Sequence, residues 1–271
     1  MSEYIENTWE EFGVEHRWKD ASIVDSTITY KGTLVEMVDR PKWGLACYMD
    51  NAIQSCEVDE YLYHESLVHP VMLSVENCKR VMIIGGGEGA TAREVLQWPV
   101  EQVDMYEWDK DVVQMFKDYP QWAKGAWDDE RLTVYYENIF DVIEKRPHQP
   151  YDVIIVDLFE PCEENKEGWY KLIHNMKQWI TAEGSIVIYA GIRNFLIKQP
   201  YCMVCDMITK SKLKNREIIP YHVFIPSFSG ESVFLLVKNK ASEIDFDFMK
   251  DKKIISHITN RIWNSYTIFN W

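Results

Sequence analysis

The stretch Val81–Leu96, VMIIGGGEGATAREVL, decides the fold. A short apolar run of the kind that forms a buried strand leads into a loop of four glycines and one glutamate, and a helix-forming segment follows. Glycine lets the backbone turn sharply and approach a bound molecule closely. Such a molecule would face the first turn of the helix, whose backbone N–H groups are unpaired. The stretch therefore predicts a strand, a ligand-binding loop and a helix in direct succession.

The chain beyond Leu96 continues the alternation of strand and helix patterns. Three more short apolar runs, at residues 102–109, 131–136 and 151–157, are separated by helical segments, which predicts a parallel sheet covered by helices. The later runs GSIVIYAG, YHVFIPSF and SVFLLVKN supply further strands, the last two as an antiparallel pair. We therefore expect residues 76–271 to form a Rossmann-like α/β domain with a doubly wound sheet of the class I methyltransferase type.

The chain before the glycine loop has a different pattern. From residue 22 to residue 54, short alternating runs are punctuated by four turn-forming residues, Gly32, Pro41, Gly44 and Asn51. The segment DEYLYHESLVHPVML that follows has helical spacing of its apolar residues, and Pro70 is expected to kink or end that helix. We expect residues 1–75 to form a small N-terminal antiparallel β domain with a linking helix.

Composition describes a globular, acidic chain. Of 271 residues, 46% are hydrophobic and 27% are charged, and the formal net charge is -14. Such a charge repels nucleic acid and anionic membranes and attracts cations. The alternative is that the negative charge only keeps the protein soluble. The N-terminal residues lack the pattern of a signal peptide, and no apolar run approaches the ~18 residues of a membrane span. We expect a cytoplasmic protein with a cationic substrate and no nucleic-acid or membrane partner.

The six cysteines do not form a metal-binding pattern. The one close pair is Cys202 and Cys205, and no second pair completes a zinc site. We expect reduced thiols and no bound metal.

Two acidic residues define the ligand that the glycine loop would bind. Glu107 ends the next predicted strand, 19 residues beyond Glu88, where a carboxylate can accept hydrogen bonds from both hydroxyls of a ribose. Glu88 lies within the loop and would repel a pyrophosphate, which disfavours NAD. The alternatives are a plain strand-to-helix turn for the glycines and a solvated strand end for Glu107. We favour a cationic ligand that carries a nucleoside.

A third acidic residue, Asp157, ends the strand YDVIIVD. It therefore projects from the carboxyl edge of the predicted sheet, where open α/β folds bind their ligands. The alternatives for this residue are a helix N-cap and a solvated strand end.

Taken together, these segments resemble the spermidine synthase-like aminopropyltransferases. The glycine stretch, Glu107 in YEWDKDVV, GAWDDERL and YDVIIVDLFEP match the core of that family in order and spacing. Upstream, MDNAIQSCEVDEYLYHESLVHP is similar to a signature of the family. The resemblance covers about Thr29 to Val237. The loop GGGEG is most similar to those of thermospermine synthases and of prokaryotic triamine or agmatine aminopropyltransferases.

The resemblance implies transfer of an aminopropyl group from decarboxylated S-adenosylmethionine, a co-substrate, to a polyamine, with release of 5′-methylthioadenosine. It implies no permanently bound cofactor, and a homodimer or homotetramer. The donor lacks a carboxylate and keeps an ammonium group, which Glu88 would attract. An acceptor amine with a pKa near ~10 must lose a proton before it attacks. Asp157, at the position of the family's catalytic aspartate, is the expected base.

The resemblance also implies binding residues on two sides of the site. The donor side comprises eight residues: Gln54, His64, Gly85, Gly86, Gly87, Glu88, Glu107 and Asn138. The acceptor side comprises Tyr63, Asp157, Glu160 and Phe228. For three of these residues a structural role remains an alternative: a satisfied core histidine for His64, a turn residue for Asn138 and an exposed loop carboxylate for Glu160.

Several positions depart from the pattern of the family. Glu160 and Asn138 each replace an aspartate, Phe228 replaces a tyrosine, and Lys31 replaces a glutamine in a loose alignment.

Leu158 and Phe159 stand where spermidine synthases commonly carry small hydroxyl residues. Apolar walls suit an acceptor longer than putrescine, so we expect such an acceptor or a broad acceptor range, unless both side chains simply pack beneath the loop. Two other functions stay open: an S-adenosylmethionine-dependent methyltransferase, which shares the sheet and loop, and a non-catalytic paralogue that binds a nucleoside.

Overall fold

A computed structural model describes residues 2–145, 147–193, 199–239 and 243–268, with only the backbone at Glu11 and Gln199. Two antiparallel sheets form its N-terminal part. Strands β1 and β2 pair with each other, and β3 to β6 form a four-stranded meander in sequence order. The strands are β1 (Glu3–Glu6), β2 (His16–Lys19), β3 (Ser22–Ile28), β4 (Leu34–Arg40), β5 (Gly44–Met49) and β6 (Ala52–Cys56). The predicted antiparallel region is therefore confirmed.

A seven-stranded sheet forms the main part of the protein, with the order β12-β13-β11-β10-β7-β8-β9. Its strands are β7 (Arg80–Gly85), β8 (Gln102–Tyr106), β9 (Leu132–Tyr135), β10 (Tyr151–Asp157), β11 (Ile180–Arg193), β12 (Glu217–Ile225) and β13 (Gly230–Lys238). Strands β7 to β11 are parallel, whereas β12 and β13 form the predicted antiparallel pair. The chain proceeds outward from β7 in one direction and from β10 in the other. The junction of β7 and β10 is thus the switch point at which doubly wound sheets bind ligands.

Helices cover both faces of this sheet. They are α1 (Glu60–Leu73), α2 (Ala90–Leu96), α3 (Lys110–Asp118), α4 (Ile139–Val142), α5 (Lys166–Trp179) and α6 (Gln199–Lys210), followed by α7 (Asp247–Asp251) and α8 (Asn260–Tyr266). Successive residues of β7 alternate between two cores: Val81 and Ile83 join one cluster, Met82 and Ile84 the other. Because both faces are buried, the strands read as continuous apolar runs. Within the described ranges, no helix is long and apolar enough to cross a membrane.

Helix α1 follows the N-terminal sheet but packs on the main sheet, where it is buried on nearly all sides. Pro70 lies inside this helix and does not end it. Proline cannot donate the usual hydrogen bond to the carbonyl four residues earlier. Here the Tyr221 hydroxyl donates to that carbonyl, of Ser66, at 2.7 Å. Glu65 fastens the C-terminal segment, since its Oε2 accepts hydrogen bonds from the His257 backbone N–H at 2.6 Å and the Ser256 hydroxyl at 2.8 Å.

The end of β7 lies in unusually close contact with the end of β10. Gly85 pairs with Asp157 in the parallel ladder. Its φ of 84° is in the left-handed region, and a Cβ atom on it would lie 2.0 Å from the Asp157 carbonyl oxygen. Only glycine fits here without displacing the backbone of β10.

The substitution Gly85→Ala should therefore lower the free energy of unfolding by about 2–4 kcal/mol, because it combines a disfavoured φ with a backbone clash. Gly125→Ala is the matched control, since Gly125 has a similar φ of 91° but nothing within 4 Å of the added methyl group. It should lose about 1–2 kcal/mol. Chemical denaturation measures both variants, and equal losses would show that the contact with β10 is unimportant.

Candidate active site

Asp157 lies at the carboxyl edge of the sheet, and both of its carboxylate oxygens accept hydrogen bonds. The Tyr63 hydroxyl of α1 donates to Oδ1 at 2.7 Å, and the Thr91 hydroxyl of α2 donates to Oδ2 at 2.6 Å. Burial, and next the negative charge of Asp157, raise the pKa of Tyr63 well above its usual value, so that its hydroxyl remains a donor. The carboxylate is only partly buried. It is therefore oriented from two helices and accessible to a ligand.

Glu160 is oriented by a second tyrosine. The Tyr189 hydroxyl of β11 donates to Glu160 Oε1 at 2.9 Å. Burial and then the charge of Glu160 raise the pKa of Tyr189 well above its usual value. The Tyr189 ring lies 5.3 Å from that of Tyr63, which lies 6.1 Å from that of Phe228. Aromatic rings thus connect the two acids, an arrangement that suits a cationic chain.

The glutamate of the glycine loop, Glu88, contacts His64 of α1. Glu88 Oε1 is paired with His64 Nε2. On the other edge of the imidazole, Nδ1 lies 2.9 Å from Glu60 Oε2 and 2.7 Å from the Glu60 carbonyl oxygen. Burial alone would lower the pKa of His64, but Glu88 and Glu60 outweigh it and hold that pKa well above its ordinary value. His64 is therefore a buried histidine that lies between two carboxylates.

Glu107 is a buried carboxyl group beside the glycine loop. Its Oε1 accepts the Asp109 backbone N–H at 2.9 Å, and a Cβ atom on Gly87 would lie 3.1 Å from its Oε2. The loop backbone therefore lies directly against this acid. Burial, only partly offset by backbone hydrogen bonds, raises the pKa of Glu107 to about 7. This side chain is not a solvated strand end.

Two further predicted donor-binding residues, Gln54 and Asn138, lie in different surroundings. Gln54 is exposed and lines a small pocket together with Tyr63, His64 and Phe228. The structure ties Asn138 to α4, because its Oδ1 accepts the Phe140 backbone N–H at 3.1 Å as an N-cap. One lone pair of that oxygen is therefore already used.

The departures from the family pattern also take defined positions. The Lys31 ammonium group lies 4.8 Å from the centre of the Trp108 ring, on the loop after Glu107. Leu158 packs against the core that α5 covers, and the half-exposed Phe159 packs edge-on to Trp169. Leu158 thus packs beneath the loop, whereas Phe159 keeps half of its surface exposed.

Sequence reasoning missed several polar residues of the site. Asp59 accepts hydrogen bonds from the Ser227 backbone N–H at 2.7 Å and from the Ser227 hydroxyl at 2.9 Å, which fastens the turn carrying Phe228 to the start of α1. Glu60, Thr91, Arg93 and Tyr189 were also missed. The acidic pair of the upstream signature was a usable signal for Asp59 and Glu60. Tyr189 is a polar ring in an apolar strand, and its partner is 29 residues away.

All six cysteines are free thiols. Among the residues that the structure describes, no group of three or more histidine, cysteine, aspartate or glutamate side chains is arranged to bind a metal ion.

Comparison with solved structures places the fold. The chain superimposes on the crystal structure of spermidine synthase from Thermotoga maritima with a TM-score of 0.85 and 21% identity, covering 99% of this chain and 91% of the other. A spermidine synthase in complex with the transition-state analogue AdoDATO gives a TM-score of 0.86 and 23% identity, covering 99% and 92%. The expected fold class is therefore confirmed.

The chain belongs to the spermine/spermidine synthase domain family, whose model matches residues 60–248. It is 36% identical to a polyamine aminopropyltransferase of Pyrobaculum calidifontis, over 74% of this chain and 70% of the relative. It is 37% identical to polyamine aminopropyltransferase 1 of Hyperthermus butylicus, over 73% and 69%. A relative from Korarchaeum cryptofilum, also named polyamine aminopropyltransferase, is 34% identical over 62% of this chain, which is about half (52%) of the relative's length. The resemblance inferred from the motifs is confirmed.

The raised pKa of Glu107 has a measurable effect on stability. Between its ordinary pKa of 4.5 and about 7, the folded protein keeps a proton that the unfolded chain releases. The free energy of unfolding therefore falls as the pH rises through this window. Glu107→Gln has no such titration, so its stability relative to the wild type should increase by on the order of 2 kcal/mol between pH 5 and pH 8.

Denaturant titrations at several pH values measure this difference. Glu101→Gln, at an exposed ion pair with Lys79, is the control and should show almost no change with pH. A constant difference for Glu107→Gln would mean that Glu107 is ionised throughout.

Proposed function

We propose that this protein is a polyamine aminopropyltransferase, which transfers the aminopropyl group of decarboxylated S-adenosylmethionine to a polyamine and releases 5′-methylthioadenosine. The observation that carries the proposal is the position of Asp157. Its carboxylate lies at the switch point of the sheet, opposite Gly85 of the donor loop, and is oriented by Tyr63 and Thr91. Membership of the family supports the same activity.

The donor is bound by the glycine loop and two acids. Glu107 accepts hydrogen bonds from the ribose hydroxyls, and the loop backbone at Gly87 lies directly against this acid. Because a carboxylate accepts two such bonds, binding requires Glu107 to lose the proton that it holds below about pH 7. Glu88 attracts the ammonium group of the aminopropyl chain. It would repel the carboxylate of S-adenosylmethionine itself.

The acceptor is bound and activated by the second pair of acids. The ammonium group of a polyamine pairs with Glu160, and its methylene chain lies along the rings of Tyr63 and Phe228. Asp157 removes a proton from the attacking amine. The nitrogen lone pair then forms a bond to the methylene carbon next to the sulfonium, the carbon–sulfur bond breaks, and its electrons stay on sulfur in 5′-methylthioadenosine. Methyl transfer would have no use for the Asp157–Glu160 pair.

We also propose that the protein works in the cytoplasm as a homodimer or homotetramer. Free thiols at all six cysteines support a reducing compartment. Three apolar side chains of β3 are exposed, Ile23, Val24 and Ile28, which supports burial against another copy. Light scattering after size exclusion decides the oligomeric state.

Product analysis tests the function directly. The protein, incubated with the decarboxylated donor and putrescine, agmatine, cadaverine, spermidine or norspermidine, should give 5′-methylthioadenosine and an aminopropylated amine by mass spectrometry. The panel also identifies the acceptor length. Nucleoside binding without any product would instead support a non-catalytic paralogue, and methylated product from S-adenosylmethionine would support a methyltransferase.

The substitution Asp157→Asn should lower turnover by roughly 10²–10⁴-fold, because an amide cannot take up the proton of the acceptor. Affinity for 5′-methylthioadenosine should stay within severalfold. Thr91→Val, which removes one hydrogen bond to Asp157 and leaves the base, is the control and should lose about tenfold or less. Turnover of Asp157→Asn within tenfold of the wild type would exclude Asp157 as the base.

A further inference from the structure

His64 lies between two carboxylates, and this geometry favours its protonated form. The side chain is almost fully buried, with 2% of its surface exposed. Nδ1 faces Glu60 and Nε2 faces Glu88. Ionised carboxylate oxygens only accept hydrogen bonds, and an imidazolium ion carries hydrogen on both ring nitrogens. A carboxylate on each side therefore favours the imidazolium form of His64 in the ligand-free protein.

Glu60 is ionised because Arg93 binds it with two parallel hydrogen bonds. Arg93 Nη1 lies 3.0 Å from Glu60 Oε1, and Nη2 lies 2.9 Å from Oε2. Burial raises the pKa of Glu60, but His64 and Arg93 outweigh this effect and lower it to about 2. The same guanidinium donates to Glu94 at 2.8 Å. Arg93 thus pairs with two acids, Glu60 and Glu94, whereas the side chain that contacts Glu88 is His64.

The other titratable groups around His64 and Glu88 are neutral, or they contact this pair only through another residue. Tyr63 on the same helix packs edge-on against the His64 ring at 5.0 Å and donates to Asp157. Cys47 of β5 is fully buried, and burial followed by the charge of Glu88 raises the pKa of its thiol well above the usual value. It therefore stays neutral. The positive charge of His64 therefore depends on Glu60 and Glu88.

On the basis of the proposed function, we propose that His64 serves as the counter-ion of Glu88 until the donor binds and then releases its Nε2 proton to solvent. The ammonium group of the aminopropyl chain takes the place of the imidazolium beside Glu88. Two cations against one buried carboxylate repel each other, and burial favours the neutral imidazole. The ammonium group keeps its protons. Neutral His64 keeps its Nδ1 hydrogen towards Glu60, and its Nε2 lone pair can then accept a hydrogen bond from the ammonium group.

Glu60 is the positioning residue in this arrangement. It acts on Glu88 through His64, whose Nδ1 lies 2.9 Å from Glu60 Oε2. Without its charge, His64 would already be partly neutral in the free protein. The number of protons released on donor binding therefore reports the role of Glu60, whereas a merely structural role would leave that number unchanged.

Isothermal titration in phosphate and in Tris at pH 7.5 tests the proposal, since the difference in heat between buffers gives the number of protons released. The decarboxylated donor should release about one proton more per chain than 5′-methylthioadenosine. Both ligands carry the ribose, so the proton released by Glu107 cancels in the comparison. Equal proton numbers for the two ligands would overturn the proposal.

Two variants sharpen the test. Glu60→Gln should decrease the excess proton release, and a full proton in that variant would exclude Glu60 as the residue that keeps His64 charged. Glu101→Gln, at the exposed pair with Lys79, should keep the wild-type excess. Equal proton numbers in a wild type that binds and turns over the donor would defeat this inference and leave the proposed function intact. A donor that neither binds nor reacts would overturn both.

Discussion

The close approach of Gly85 to the end of β10 is the constraint on which the site depends. Two parallel strands meet where the sheet reverses its order, and the chain leaving β7 has no room for a side chain. The glycine loop must therefore turn directly above Asp157. This brings the first turn of α2, with Thr91, into hydrogen-bonding distance of the same carboxylate. The geometry of the candidate site is thus a consequence of backbone packing at one position in the sheet.

A second principle is that each acid of the site has a partner suited to its task. Asp157 and Glu160 accept from tyrosine hydroxyls, which orient them without cancelling their charge. Glu88, in contrast, is paired with a cation. A protein of net charge -14 thereby keeps several carboxylates close together without filling its interior with unpaired charge.

The sequence allowed most of the fold to be predicted, because strand and helix patterns are local and the glycine loop is specific. The central acids Asp157 and Glu107 were also predictable, since each ends an apolar strand. Contacts between distant segments were not predictable. No local pattern around Tyr189 indicates its contact with Glu160, and Arg93 and Glu60 are 33 residues apart in the sequence. That α1 continues past Pro70 was hidden for the same reason, because the hydroxyl that compensates for Pro70 comes from Tyr221, which belongs to the edge strand β12. A local sequence pattern indicates which face of a helix or strand is buried, but not which residues pack against that face.

The polar contacts of helix α1 restrict which changes in sequence this protein can tolerate during evolution. The start and first turns of this helix make five separate polar attachments to other parts of the fold, through Asp59, Glu60, Tyr63, His64 and Glu65. Each residue added to a helix rotates all later side chains by about 100°. A single insertion or deletion in this segment would therefore misdirect most of these attachments at once, whereas a substitution alters one. Length variation should be confined to the surface loops, such as the segment between β10 and α5, while the length of α1 stays invariant.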